Sequence, residues 1–213
     1  MRRIVRAMTI GLTASRRQLW MAAALAVLAG CATSPATRFY VLTPVATASD
    51  AERVAISDAV TIGIRRVTLP EELDRPQIVV RTGANAVHIA EFDRWAAPLR
   101  ESIPRQIAAN LAALLPRARV EAYPWTPGVV IDRQVVVDIT QLDGALAGRC
   151  MLRARWTVFA GTPRASAVSG ESTLSEPCGR DYASLVAAQS RLLAALSVEI
   201  VPAVRNEMER KRI

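Results

Sequence analysis

Few side chains in this sequence could carry out acid–base or metal chemistry, and they form no recognisable active site. There is one histidine, His88, in 213 residues. A single histidine without ligand-type neighbours at metal-binding spacing is typical of a surface residue. We predict that His88 lies on the polar side of a strand over 86–90, with Val87 and Ile89 facing inward.

Other catalytic patterns are incomplete. The segment 169–173 (SGEST) lacks the second glycine of a nucleophile elbow, and no glycine-rich phosphate loop follows a predicted strand. Glu71, Glu72 and Asp74 could suggest paired carboxylates, but prolines flank them on both sides, so a solvated loop is the simpler interpretation. We therefore predict a protein that is not an enzyme and binds no metal or cofactor.

Cys31 is the first of three cysteines, and the residues before it predict a secretory leader over 1–30. That stretch contains five arginines and no acidic residue, and its arginines precede a run of eleven apolar residues at 19–29. At about 1.5 Å per residue the apolar run reaches roughly 16 Å, half a bilayer core, so we expect cleavage and not a membrane span. Arg16 and Arg17 resemble a twin-arginine export signal, an ordinary basic leader being the alternative.

The leader ends in 28–31 (LAGC), which resembles the lipobox of bacterial lipoproteins. In those proteins the cysteine is acylated and becomes the new N-terminus, which implies a lipid anchor on Cys31. A chance cysteine beside an ordinary cleavage site is the alternative. Ala32, and not aspartate, follows the cysteine, which favours sorting to the outer membrane.

The basic character of the chain belongs mostly to this leader. The net charge is +8, but without the five leader arginines 22 basic residues face 19 acidic ones. The mature protein therefore has no charge excess typical of nucleic-acid binding.

Cys150 and Cys178 would lie in an oxidising compartment, where a pair usually forms a disulfide. They flank a predicted hairpin of strands 150–160 and 165–174, whose centre places Cys150 opposite Ser175. A redox-active pair is the alternative, but the Cys-x-x-Cys spacing is missing. We expect a structural bridge that contributes roughly 3 to 4 kcal/mol.

The mature chain predicts a tether over 31–37 and one α/β (α+β) domain over 38–213, with a mixed, largely antiparallel sheet and two principal helices. Pro104 requires either a first helix that begins near Ser102 or a kink, and Pro202 predicts a kink or break in the second. The predicted apolar stripes are Leu99, Ile103, Ile107, Leu111, Leu114 and Leu115, then Leu185, Leu192, Leu196, Ile200 and Val204. The remaining predicted strands are 39–42, 60–64, 77–81, 119–123 and 134–142.

Four segments stand out in the mature chain: 37–44 (TRFYVLTP), 74–81 (DRPQIVVR), 94–99 (RWAAPL) and 185–190 (LVAAQS). In this order and spacing they resemble the PqiC-type ABC-transporter auxiliary lipoproteins. The resemblance implies an outer-membrane lipoprotein that faces the periplasm and works with a membrane-anchored MCE-domain (mammalian cell entry) protein. Such systems move lipids between membranes and preserve envelope integrity. The resemblance also implies a fold similar to the N-terminal domain of TolB.

Two classes of function remain open at this stage. A non-enzymatic docking subunit is the leading hypothesis, and a lipid- or ligand-carrying lipoprotein, which would need a large apolar pocket, is the alternative. An envelope hydrolase has almost no supporting residues. The oligomeric state is not fixed by the sequence, so a homo-oligomer also remains open.

The candidate partner surface lies where the predicted strand over 86–90 gives way to the first helix. Arg94 and Trp95 belong to the residue types that most often dominate interface energy. A solvent-facing set, Arg100, Arg105 and Gln106, would form its polar rim. The alternative is that Trp95 closes the end of the hydrophobic core.

Overall fold

The computed structural model describes residues 35–46, 60–161 and 167–209. The predicted leader, Cys31 and most of the tether lie outside these residues, as does most of the turn predicted at 161–164. In the described ranges the chain forms two helices, eight strands and one short 3₁₀ helix at Glu71–Leu73. The strands are β1 (Arg38–Tyr40), β2 (Thr61–Ile64), β3 (Gln77–Gly83), β4 (Ala86–Trp95), β5 (Arg119–Ala122), β6 (Arg133–Gly144), β7 (Arg149–Ala160) and β8 (Ala167–Pro177). The helices are α1 (Leu99–Leu114) and α2 (Tyr182–Glu209).

The strands form two sheets, where the sequence predicted one. The larger sheet has the order β5-β2-β6-β7-β8, with β2 parallel to both of its neighbours and β6, β7 and β8 antiparallel. The smaller sheet has the order β1-β4-β3, with β1 parallel and β3 antiparallel to β4. Periodicity predicts where strands occur but does not encode which distant strands pair. The predicted α/β class, with mixed pairing and two principal helices, is confirmed.

The two helices cover the larger sheet with the predicted apolar stripes. All eleven stripe residues are buried, so both stripes are confirmed. α1 begins at Leu99, so the alternative start near Ser102 is wrong, and α2 continues through Pro202 without a break. Residues 182–206 of α2 are long and apolar enough to cross a membrane, but 67% of their most apolar window is buried. α2 packs on β7 and β8 and is therefore a core helix.

The tip of the β3–β4 hairpin departs from the prediction. Val87 and Ile89 do not face the core; their exposed fractions are 48% and 42%. His88 between them is exposed as well, as predicted. Alternation assigns side chains to two faces of a strand, but burial of a face requires a covering layer. Ala86 to Ile89 are exposed on both faces, so no such layer covers the tip among the residues that the structure describes.

The structure joins Cys150 and Cys178 by a disulfide, with their Cα atoms 5.0 Å apart. Cys150 pairs with Glu176 in the β7–β8 ladder, one residue beyond the predicted Ser175. Both cysteines are fully buried. The Cys150 Sγ also lies 4.0 Å from the backbone oxygen of Leu185. The bridge therefore ties the end of β8 to β7 beside the first turn of α2.

We expect the double substitution Cys150→Ala and Cys178→Ala to lower the free energy of unfolding by roughly 3 to 4 kcal/mol, because the bridge closes a loop with a sequence separation of 28 residues. Alanine avoids placing a new hydroxyl in a buried site. Urea titration of the oxidised and variant proteins measures the difference, with reduced wild type as the control. Equal midpoints for oxidised wild type and the double variant would contradict a structural role.

Candidate interaction site

Three of the four segments that carry the family resemblance meet in the smaller sheet. β1 lies within 37–44, the first five residues of β3 lie within 74–81, and the end of β4 lies within 94–99. Arg94 at the end of β4 pairs with Phe39 on one side and Gln77 on the other. The Trp95 N–H donates to the Pro76 carbonyl at 2.7 Å, and the Ala96 N–H donates to the Tyr40 carbonyl at 2.8 Å. We call the four segments together the motif cluster.

The fourth segment joins the cluster through the chain that follows β1. The Thr43 N–H donates to Ser190 Oγ at 3.2 Å, and Ser190 on α2 is buried. Two further N–H groups, those of Val45 and Ala46, donate to Asn110 Oδ1 on α1 at 3.3 and 3.2 Å. The chain after β1 is therefore hydrogen-bonded to both helices.

Asn110 was missed by sequence reasoning, although a signal was present. It is fully buried and lies three residues after Ile107 and four before Leu114, within the spacing of the apolar stripe. A polar residue at a stripe position indicates a buried hydrogen-bonding role. The Asn110 Oδ1 meets that need by accepting hydrogen bonds from two backbone N–H groups of another segment.

A buried carboxylate, Asp93, holds the inner face of β1 against β4. Its Oδ1 accepts a hydrogen bond from the Tyr40 hydroxyl at 2.7 Å and lies 2.8 Å from Arg38 Nε, while Arg38 Nη2 donates to Oδ2 at 3.0 Å. Burial, and then the hydrogen bond to Asp93, raise the pKa of Tyr40. Burial and the Asp93 charge likewise raise the pKa of Tyr182, whose ring centroid lies 6.4 Å from that of Tyr40. Both phenols therefore remain protonated donors at neutral pH.

The predicted partner residues do not all lie at the surface. Trp95 is only 6% exposed, because it pairs with Tyr40 on the inner face of the small sheet. This geometry favours the alternative in which Trp95 completes the core. Arg94 is half-buried, and its Nε donates to the Glu91 carbonyl at 3.2 Å.

Two of the three rim residues predicted on α1 are exposed to solvent. Arg100 and Arg105 are exposed, and their ion-pair partners are Asp74 and Glu101. Gln106 is 4% exposed, so the prediction that it faces solvent is wrong. The reason lies in helix geometry: Gln106 is three residues after Ile103 and adjoins Ile107, so it falls within the apolar stripe.

An open groove of about 580 Å³ lies between the β3–β4 hairpin and strands β6 and β7. Val79 and Leu142 contribute apolar surface, but the lining also carries Glu72, Arg81, Asp143 and Arg153. Arg81 Nε donates to Asp143 Oδ2 at 2.9 Å, and this hydrogen bond raises the pKa of Arg81. The groove lining therefore mixes charged with apolar side chains. Among the described residues, no three His, Cys, Asp or Glu side chains come together as a metal site.

We expect Asp93→Ala to lower the free energy of unfolding by about 2 kcal/mol, because it leaves the Tyr40 hydroxyl without its buried acceptor. Asp93→Asn retains an acceptor oxygen, so its free energy of unfolding should fall by a smaller amount. Asp138→Ala is the matched control, since its ion pair with Arg155 is exposed and contributes little. Chemical denaturation of the four proteins measures the order; an Asp93→Ala loss no larger than that of Asp138→Ala would contradict the assignment.

Comparison with known proteins places this geometry in a family. A family model described as ABC-type transport auxiliary lipoprotein component matches residues 40–201. The chain is 27% identical over 129 residues to the intermembrane transport lipoprotein PqiC of Escherichia coli (strain K12) and, equally, to that of Shigella flexneri. These matches cover 61% of this chain and 67% of each relative.

Solved structures share the fold. The crystal structure of protein XCC0632 from Xanthomonas campestris has a TM-score of 0.65 with this chain, at 14% identity, and covers 82% of this chain and 99% of its own. The predicted family resemblance is confirmed by the family match, which begins at the last residue of β1 and extends to residue 201 within α2. The chain belongs to the ABC-type transport auxiliary lipoproteins.

Proposed function

We propose that this protein is a non-enzymatic docking subunit of an MCE-type lipid transport system, anchored in the outer membrane by lipid on Cys31 and facing the periplasm. The observation that carries the proposal is the family match over residues 40–201, which includes nearly all of the described domain. The name of its relatives, intermembrane transport lipoprotein, supports a task between two membranes. Its contribution to envelope integrity would follow from that transport.

The anchor accounts for membrane attachment by simple arithmetic. Each buried methylene contributes about 0.8 kcal/mol, so one acyl chain binds weakly and several bind almost irreversibly. α2 is buried in the domain, so it is not available as an alternative anchor. Attachment would therefore depend chiefly on Cys31, and the folded domain would lie on the leaflet without crossing it.

A docking function fits the interior of the domain better than a carrier function. The apolar stripes of both helices are fully used in covering the sheet and each other. The groove is open and contains the Arg81–Asp143 ion pair. An acyl chain bound there would remove water from these charged groups, which costs free energy. Recognition of a protein partner by exposed surface requires no such cavity.

The exposed face of α1 is the surface we propose for the MCE-domain partner. Arg100 and Arg105 project from its first two turns, with 43% and 57% of their side chains exposed. Each is paired with a carboxylate that is itself accessible, so the guanidinium groups retain donors for a partner. Charged residues at an interface rim chiefly determine orientation and the rate of association.

We expect Cys31→Ser to release the protein from membranes, because the acyl chains supply the anchor. Fractionation of cells followed by a high-salt wash measures the attached fraction, and outer and inner membranes are then separated by density. The double variant Cys150→Ala and Cys178→Ala is the control, because it removes the other two cysteines together but leaves the lipobox intact. Retention of the Cys31→Ser protein after the salt wash would contradict the anchor.

We expect Arg100→Ala combined with Arg105→Ala to reduce recovery of the MCE-domain partner about tenfold in pull-downs from membranes in mild detergent. The melting temperature should not change, since both ion pairs are exposed. The matched control is Arg155→Ala with Arg191→Ala, which breaks two equally exposed ion pairs on β7 and α2. If both double variants behave alike, docking through α1 is excluded.

A further inference from the structure

The free edge of the small sheet presents apolar side chains to solvent. β1 is an edge strand, and its central residue Phe39 is 65% exposed. Val41, just after the strand, is 60% exposed. Arg38 and Tyr40 point inward to Asp93, so strand alternation turns Phe39 outward. We call Phe39 and Val41 the β1 patch.

The surroundings of the β1 patch are cationic. Arg94 is the cross-strand partner of Phe39, and Arg38 precedes Phe39 with 64% of its side chain exposed. Arg38 binds Asp93 through Nε and Nη2, which leaves donors of the same guanidinium unused in those contacts. Apolar side chains flanked by arginine are the combination that binds at the interface of a bilayer with anionic lipid.

Covalent distance limits how far this patch can lie from a lipid on Cys31. Phe39 lies eight positions after Cys31 along the chain, and Val41 lies ten positions after it. At no more than about 3.5 Å per residue, these positions lie within about 28 and 35 Å of the acylated residue. Of the large apolar side chains exposed in the described residues, these two come first along the chain.

We propose that the β1 patch inserts into the headgroup region of the bilayer that holds the lipid anchor, with Arg38 and Arg94 at the level of the lipid phosphates. The domain then rests on the membrane by the open edge of its small sheet and does not turn freely on its tether. This proposal rests on the proposed acylation of Cys31.

The test uses the full lipidated protein, reconstituted in vesicles of phosphatidylethanolamine and phosphatidylglycerol at a ratio of about three to one. With Cys31 acylated and Cys150 bonded to Cys178, one added cysteine is the sole free thiol for an environment-sensitive fluorophore. The labelled variants are Phe39→Cys and Val41→Cys. Val130→Cys is the matched control, because Val130 is 78% exposed and precedes β6 of the larger sheet.

We expect shallow doxyl-labelled lipid to quench the fluorophore at positions 39 and 41 at least threefold more than at position 130. Equal quenching at all three positions, in vesicles that retain the protein on flotation, would overturn the β1 proposal alone. Failure of the unlabelled wild type to float would overturn the Cys31 anchor, and this proposal with it. A label at 39 that is shielded in native membranes but not quenched by lipid would indicate a protein partner instead, and would also overturn the proposal. Unchanged melting temperatures identify the variants that are folded.

Discussion

The parallel pairing of β1 with β4 is the constraint on which the arrangement of this domain depends. Three residues, Arg38–Tyr40, must reach a strand that ends more than fifty residues later. Because the pairing is parallel, the chain leaves β1 toward the helices. There its backbone N–H groups donate hydrogen bonds to Ser190 on α2 and Asn110 on α1. The buried Asp93 secures the pairing from the inner side. This single pairing therefore connects the N-terminal end of the domain to the two helices that cover the larger sheet.

The regular elements were predictable because their signals are local. The stripes of α1 and α2 appear at helical spacing in the sequence, and the β7–β8 hairpin follows from alternation around one turn. The division into two sheets was not predictable, because it depends on the pairing of distant strands. The same holds for Val87 and Ile89 at the hairpin tip, because their exposure depends on whether another part of the fold packs over them.

The candidate site shows the same limit at the level of single residues. Composition identified Trp95 and Arg94 as interface types, but alternation at the end of β4 buries the tryptophan and leaves the arginine half-buried on the opposite face of the strand. Gln106 is polar yet belongs to the buried face of its helix. The four segments were found separately along the chain; only the fold shows that they meet around one strand, which indicates that they act first as a structural unit.

The hydrogen-bonded strand β1 and the covalent disulfide would respond differently to a force on the chain. A pull on the N-terminal end of the chain enters through the three paired residues of β1 and the hydrogen bonds of Thr43 and its neighbours. The loop closed by Cys150 and Cys178 lies outside that path and is held covalently beside the start of α2. Hydrogen bonds yield before a covalent bond. Tension between membrane and domain would therefore detach β1 first, lengthening the connection while the larger sheet stays folded.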